Sequence, residues 1–240
     1  MPWRAAIFTT STPLYLASSS PRRIAFFREL GLHARTIVPP EAAEPAPLPG
    51  ENPAVYAVRA AAAKALGVLT LVPDFPAGMS ENSGCPADAP LIIAADTIVV
   101  LDNRILGKPK DAGHAFAMLS SLTGRTHTVI SGCALLRALP LESGGERCLA
   151  PAAQGDLPTP QTPFFCFAVE TRVHMWNCPE PLLRAYAMSG EPLDKAGAYA
   201  VQGAGAFLVE RLEGSWSNVV GLPVAELVRA LLHMGVLAEG

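Results

Sequence analysis

Short apolar runs alternate with helix-like segments along most of the chain. Leu14 to Ala17 is an apolar run of strand length. Ser20 followed by Pro21 indicates a helix start, which Gly31 can end, and Asn52-Pro53 repeats the same start signal. Strands that alternate with helices in this way predict an α/β domain.

The second half of the chain adds longer strands. The run Leu91 to Leu101 has the composition of a buried strand, and the turn signal Asp102-Asn103 predicts that the chain returns as a hairpin. The remaining predicted elements are helices over 111–122, 181–189 and 223–233, and strands over 126–136, 164–176 and 206–212. A hairpin and long consecutive strands predict a mixed central sheet, flanked by the helices.

Two stretches lack any helical or strand period. Residues 73–90 and 139–163 are rich in proline and glycine, which is typical of loops. The segments on either side are too short to form separate domains. We therefore expect one domain over residues 1–240 with two surface insertions.

Composition excludes several classes of protein. Of the 240 residues, 50% are hydrophobic, which argues against a disordered chain. The net charge is -3 and there is no basic tract, so nucleic acid is not an expected partner. No uncharged apolar run reaches about 18 residues, so no membrane span is expected. The five cysteines have no metal-ligand spacing and their number is odd, which favours reduced thiols in a cytoplasmic protein.

The segment from Ser18 to Arg23 is the first with candidate chemistry. A strand ends in a loop of small hydroxyl residues, and a helix then begins with Arg22 and Arg23 in its first turn. The backbone N–H groups at a helix start attract anions, and an anion would relieve the conflict between these arginines and the helix dipole. The pattern fits a phosphate site, although a solvated helix start would also explain it.

Asp96-Thr97 interrupts the apolar strand pattern. A buried carboxylate is costly unless it is paired or binds a metal. Asp96 is therefore a candidate general base or metal ligand. The alternative is a carboxylate at a strand end that caps a turn.

Three further positions are candidates with ordinary alternatives. Lys108 lies between Gly107 and Pro109, on a turn that would hold a cation in place, or it is an exposed loop lysine. Gln202 follows a run of small residues, and its amide could read the edge of a base, or the segment is a tight αβ connection with a solvated ion pair. Lys64 lies opposite the apolar stripe of its predicted helix, so periodicity alone predicts that it is exposed.

Four motifs in one order carry a resemblance to a known family. They are LYLASSSPRR at 14–23, AADTIVVLDNRILGKPKDAGHA at 94–115, EPLDKAGAYAVQGAGAF at 191–207 and VVGLP at 219–223. Together they resemble the Maf family of nucleoside triphosphate pyrophosphatases. The resemblance implies a fold similar to inosine triphosphatase with a central nucleotide cleft, an α–β phosphoanhydride hydrolase, a divalent cation (Mg²⁺, Mn²⁺ or Co²⁺) and often a homodimer.

The resemblance also implies roles for residues at matched positions. Asp96 corresponds to the proton acceptor, and Lys64 and Lys108 to cleft lysines. The remaining matches are Ser18, Arg22 and Arg23 in the phosphate loop, and Arg22, Thr97 and Gln202 at positions that distinguish the dTTP/UTP branch. The metal ligands stay open, because Glu41 and Glu44 are separated where the family often has an acidic pair.

Two other functions remain possible at this stage. The first is a nucleotide-binding regulator without catalysis, linked to cell division arrest. The sequence feature that would indicate such a regulator is Ala63, because the family commonly has a glutamate at this position before the cleft lysine. The second is a sugar-nucleotide transferase, but the sequence shows no motif for a second substrate.

Overall fold

The computed structural model describes residues 7–72, 88–138, 157–160 and 162–240. Most of the two proline-rich insertions, together with Cys85 and Cys148, therefore lies outside the described residues. The helices are α1 (Pro21–Glu29), α2 (Pro53–Gly67), α3 (Ala112–Leu122), α4 (Glu180–Met188), α5 (Trp216–Val220) and α6 (Val224–His233). The strands are β1 (Phe8–Thr10), β2 (Leu14–Ala17), β3 (Ala34–Ile37), β4 (Leu91–Leu101), β5 (Arg104–Leu106), β6 (Thr126–Arg137), β7 (Phe164–Met175), β8 (Val209–Glu213) and β9 (Leu237–Glu239).

The main sheet is mixed, as predicted. Its strand order is β3-β2-β4-β6-β7-β8, and β5 pairs with β4. Strand β2 is parallel to both β3 and β4, whereas β5 is antiparallel to β4 and β8 is antiparallel to β7. An α/β fold with a mixed sheet and helices is confirmed.

The chain divides into two compact units. Unit 1 comprises Met1–Asp96, Gly132–Ala168 and Val224–Gly240, and unit 2 comprises Thr97–Ser131 and Val169–Pro223. In unit 1 the core includes Tyr15, Val58, Ala61, Ile92 and Leu136. In unit 2 the core includes Val99, Leu119, Leu122, Tyr186 and Leu208.

Local sequence signals explain where several elements begin and turn. Asn52 caps α2 by accepting from the backbone N–H of Ala54 and Val55, and Asp111 caps α3 in the same way through the N–H of His114. The β4–β5 hairpin turns at Asp102 and Asn103, which both have positive φ. This left-handed conformation is the one that the Asp-Asn pair predicts.

Helix α2 packs closely against β6 in unit 1. A Cβ added at Gly132 would lie 2.2 Å from the carbonyl carbon of Ala57, so only glycine fits there. The segment Pro53–Leu71 is also, within the described residues, the one helix long and apolar enough to span a membrane, and half of it is buried in the fold. Core helices of soluble proteins share these properties, so the segment is weak evidence for a membrane span.

Several elements differ from the sequence-based expectations. Strands β1 and β9 pair with each other in a separate two-stranded sheet, and neither was predicted. Strand β3 was missed as well. The segment that begins at Ser215, interpreted as a loop, contains the short helix α5, and the strand expected over 206–212 begins only at Val209.

Candidate functional site

In unit 1 the phosphate-loop candidate follows β2 directly. The register pairs Ala17 with Ala94, so the chain that leaves β2 at Ser18 runs beside the β4 segment that leads to Asp96. Ser18 is buried, and its hydroxyl accepts a hydrogen bond from the N–H of Ser20. Ser20 stands at the N-cap of α1 but makes no side-chain capping bond, contrary to its predicted role. The hydroxyl of Ser18 thus orders the loop, and α1 starts without a cap from Ser20.

Arg22 and Arg23 follow in the first turn of α1, and both are partly buried. Burial lowers the pKa of Arg23, while the carboxylate of Asp96 opposes this effect and raises it. An arginine stays protonated in either case, because its ordinary pKa is so high. Arg23 therefore brings a fixed positive charge into the electrostatic range of Asp96.

Asp96 lies inside β4, not at a strand end, and it is 7% exposed. The ammonium of Lys64 on α2 contacts its Oδ1 at 2.5 Å. The same ammonium lies 3.4 Å from Oε2 of Glu44, so one lysine contacts two carboxylates. This pairing is the compensation that a buried carboxylate needs.

Lys64 is not exposed, and the prediction from helical periodicity was wrong. Its side chain is 15% exposed. The resemblance placed Lys64 in a cleft, and the structure places its ammonium against the carboxylate of Asp96. Periodicity failed because a lysine that points away from an apolar stripe can still be covered by neighbouring acidic groups.

In unit 2, Thr97 is held by a group of hydroxyl and carbonyl oxygens. Its Oγ1 lies 2.8 Å from Oγ of Ser131 and donates to the carbonyl oxygen of Gly221 at 3.2 Å. Ser131 is fully buried and also donates to the carbonyl of Asn218. Asn218 in turn donates to the carbonyl of Val129 and to Oγ1 of Thr171. Sequence reasoning singled out Thr97 but missed Ser131 and Asn218, because an isolated serine on a strand carries no distinctive signal.

Lys108 and Gln202 are exposed in unit 2, where a substrate group could reach them. Pro109 beside the lysine is buried, and the carbonyl of Gly107 accepts from the N–H of Gly197 at 3.1 Å. The loop that carries Lys108 is thus fastened to the segment that precedes Gln202. The expected stiff turn around Lys108 rests on this bond and on the buried proline.

The structure places the sequence-predicted residues in two groups. In unit 1, Lys64 contacts Asp96, and Arg23 lies within electrostatic range of the same carboxylate. Ser18 and Arg22 belong to the loop and the helix turn that carry Arg23. Unit 2 contains Thr97, Lys108 and Gln202. Asp96 and Thr97 are consecutive residues of β4, and Asp96 belongs to the first group and Thr97 to the second.

The described residues contain no group of three or more histidine, cysteine or acidic side chains that could hold a metal ion by themselves. Glu44 and Asp96 are the two carboxylates that share a cationic neighbour. Three cysteines of the described ranges, Cys133, Cys166 and Cys178, are buried, and none of them forms a disulfide.

Comparison with known proteins supports the resemblance given by the sequence motifs. The model of the family described as Maf-like protein matches residues 13–234. A protein of Nitratidesulfovibrio vulgaris named dTTP/UTP pyrophosphatase is 46% identical over 230 residues, which cover 96% of this chain and 91% of the relative. Relatives with the same name from Oleidesulfovibrio alaskensis and Desulfotalea psychrophila are 42% and 40% identical, over 96% and 97% of this chain and 89% and 100% of their own lengths.

Proposed function

Since the chain belongs to the Maf family, we propose that it is a nucleoside triphosphate pyrophosphatase that hydrolyses dTTP and UTP to the monophosphate and pyrophosphate. The observation that carries the proposal is the contact of 2.5 Å between Lys64 and Asp96. It brings together two residues that match family positions but lie far apart in the sequence. The names of the relatives supply the substrate. Modified pyrimidine triphosphates have the same charge and similar edges, so they belong to the same proposed class.

The reaction adds water across the α–β phosphoanhydride. A bond forms between the water oxygen and phosphorus, the bridging P–O bond breaks, and pyrophosphate leaves. Asp96 takes the proton of the attacking water as general base. The cations Arg22, Arg23, Lys64 and Lys108 stabilise the negative charge that develops on the leaving group.

A divalent cation, Mg²⁺, Mn²⁺ or Co²⁺, fits the carboxylates of unit 1. Magnesium is commonly held by one or two carboxylates together with substrate phosphates, so a complete protein cage is not required. Glu44 and Asp96, which both contact Lys64, would hold the ion. When bound, the ion would neutralise phosphate charge and acidify water.

Base preference belongs to Arg22, Thr97 and Gln202 in this proposal. The Gln202 amide has both a donor and an acceptor, which complement the N–H and carbonyl on the edge of uracil or thymine. We expect Gln202→Ala to change the preference among bases more than phosphate binding. An equal fall of kcat/KM for every nucleotide would exclude a base-reading role for Gln202.

The proposed setting is the cytoplasm, with a nucleotide as the ligand and no nucleic acid or membrane partner. A homodimer is part of the proposal through the family resemblance. The alternative of a non-catalytic regulator of cell division is not favoured. The relatives are named as pyrophosphatases, and Lys64 reaches Asp96 although Ala63 replaces the usual glutamate.

The test is an assay of the purified chain with canonical and modified nucleoside triphosphates and Mg²⁺, Mn²⁺ or Co²⁺. Monophosphate, pyrophosphate and orthophosphate are separated and quantified. We expect equal amounts of monophosphate and pyrophosphate, with dTTP and UTP preferred. Release of orthophosphate without pyrophosphate, or binding without turnover, would overturn the proposal.

A further inference from the structure

The carboxylate of Glu191 is bound by a loop that lies more than ten residues further along the chain. Its Oε2 accepts from the backbone N–H of Ala204, and its Oε1 accepts from the N–H of Gly205, both at 3.1 Å. Oε1 also accepts from the hydroxyl of Tyr186 at 3.1 Å. Both oxygens are thus used, and two of the three donors belong to consecutive residues of one turn.

The same loop is fitted closely around these two side chains. A Cβ at Gly205 would lie 2.3 Å from the hydroxyl of Tyr186, and one at Gly203 would lie 3.2 Å from Oε1 of Glu191. Gly203 also has a φ of +75°, which strains other residues. The two glycines therefore let the backbone approach the carboxylate and the phenol directly.

Tyr186 on α4 remains a donor to Glu191. Burial and then the charge of Glu191 raise the pKa of its phenol, so the hydroxyl stays protonated. The carboxylate of Glu191 therefore receives one side-chain donor from α4 and two backbone donors from the loop, at Ala204 and Gly205.

Glu191 itself is held in place by its own segment. It begins a short 3-10 helix, Glu191–Asp194, after Gly190 in the left-handed conformation. The ammonium of Lys195 donates to the backbone carbonyl of Glu191 at 2.7 Å and to Asp194 at 2.6 Å. The carboxylate therefore has a defined position from which it can order the loop.

Gln202 directly precedes the turn whose Ala204 and Gly205 bind Glu191, with an extended backbone and an exposed side chain. We propose that Glu191 is a positioning residue for base selection, which fixes the Gln202 loop so that the amide meets the base in one orientation. This inference rests on the proposed function. It adds a residue that never touches the nucleotide but controls which base is preferred.

The test compares kcat and KM for UTP, dTTP and CTP in wild type, Glu191→Ala and Glu191→Gln. We expect Glu191→Ala to reduce the preference for UTP over CTP about fivefold. This factor corresponds to the loss of one neutral hydrogen bond, the one between the Gln202 amide and the base. Glu191→Gln keeps one acceptor oxygen but places its amide NH2, a donor, against a backbone N–H, so the preference of this variant should be intermediate. Amide exchange of Ala204 and Gly205 should accelerate in the same order.

Glu180→Ala is the matched control, because it removes one exposed carboxylate of α4 that pairs with Arg184 instead of the loop. It should leave the preference unchanged. A second comparison places Glu191→Ala in a Gln202→Ala background, where we expect no further loss of preference. Thermal unfolding of each variant is measured as well, to check that the compared proteins are folded.

An equal fall of kcat/KM for all nucleotides in Glu191→Ala would make the residue merely structural and overturn the inference. Full additivity with Gln202→Ala would do the same. A wild-type enzyme that prefers UTP, and loses that preference in Gln202→Ala but not in Glu191→Ala, would refute this inference alone. A wild-type protein that does not prefer UTP and dTTP over CTP would refute both this inference and the proposed function.

Discussion

At the scale of single residues, the ammonium of Lys64 compensates two carboxylates at once. Asp96 lies at 2.5 Å and Glu44 at 3.4 Å, and Asp96 is the more deeply buried of the two. Because an unpaired buried charge is costly, the lysine stabilises the fold as well as the proposed chemistry. The two roles can be separated by variants on either side of the pair.

Asp96→Asn tests the proton acceptor. The amide has nearly the shape of the carboxylate and its oxygen can still accept from Lys64, so we expect the fold to persist. Asparagine cannot take up the proton of water, and kcat should fall by about 10²-fold or more. Pyrophosphate release and circular dichroism are measured on the same sample. Turnover close to that of wild type would exclude Asp96 as the base.

Lys64→Met tests the charge pairing. It leaves Asp96 without its cation in a site with little solvent, and we expect a loss of about 1–3 kcal/mol in the free energy of unfolding. Urea denaturation measures the loss. Lys110→Met is the matched control, because Lys110 is exposed, and its unfolding free energy should equal that of wild type. Equal stability of the two variants would show that the ion pair contributes nothing.

At the scale of elements, α2 and β6 approach each other closely at Gly132. The missing side chain of Gly132 allows the helix backbone at Ala57 to lie on the strand, and α2 carries Lys64 two turns further on. The position of the lysine therefore depends on a glycine on another element of unit 1. Backbone closeness, and not a polar contact, sets the height of the helix above the sheet.

Gly132→Ala should accordingly destabilise the protein strongly. The new Cβ would overlap the backbone of Ala57, and overpacking of this kind costs about 1–3 kcal/mol or more. Gly107→Ala is the control, since its Cβ would meet nothing within 4 Å. Thermal unfolding should show a clear decrease in Tm for the first variant and little change for the second. Equal Tm values for Gly132→Ala and Gly107→Ala would show that the close contact between α2 and β6 does not contribute to stability.

The sequence predicted those elements whose signals are local. Asn52 and Asp111 act as the caps expected for α2 and α3, and the Asp102-Asn103 turn closes the expected hairpin. Strands β1 and β9 could not be predicted, because three residues show no period and their pairing joins Phe8 to Glu239. For the candidate site, a carboxylate in an apolar run identified Asp96. The hydrogen bond from the N–H of Ala204 to Glu191 could not be predicted, because it joins distant residues and leaves no local sequence signal.

At the scale of the whole molecule, acid stability has an identifiable contribution from one buried histidine. His127 is 3% exposed, and its Nε2 shares a hydrogen bond of 2.7 Å with the hydroxyl of Tyr199. Burial lowers the pKa of His127 to about 4, with a smaller contribution from His174. The native protein therefore keeps this ring neutral under conditions in which an unfolded chain would protonate it.

The sign of the pH dependence follows directly. Between about pH 6.5 and pH 4 the unfolded chain binds a proton that the folded chain does not, so stability falls as the pH is lowered. A difference of this size corresponds to about 3 kcal/mol in total. In His127→Gln this part of the decrease should disappear, while His33→Gln, at an exposed position, should behave like wild type. Denaturation at a series of pH values measures the free energy of unfolding of the three proteins. Parallel curves of this free energy against pH would contradict the assignment of the decrease to His127.

The adjacency of Asp96 and Thr97 on β4 has an evolutionary consequence. Consecutive strand residues project to opposite faces, so the proposed catalytic group and a proposed selectivity group share a backbone but not a packing environment. We therefore expect substitutions around Thr97 to alter nucleotide preference while the surroundings of Asp96 stay unchanged. A one-residue insertion before them would instead exchange their faces and abolish both roles together. We therefore expect substitution at Thr97 to be a route by which the substrate can change in evolution, and a one-residue insertion in this strand to be excluded.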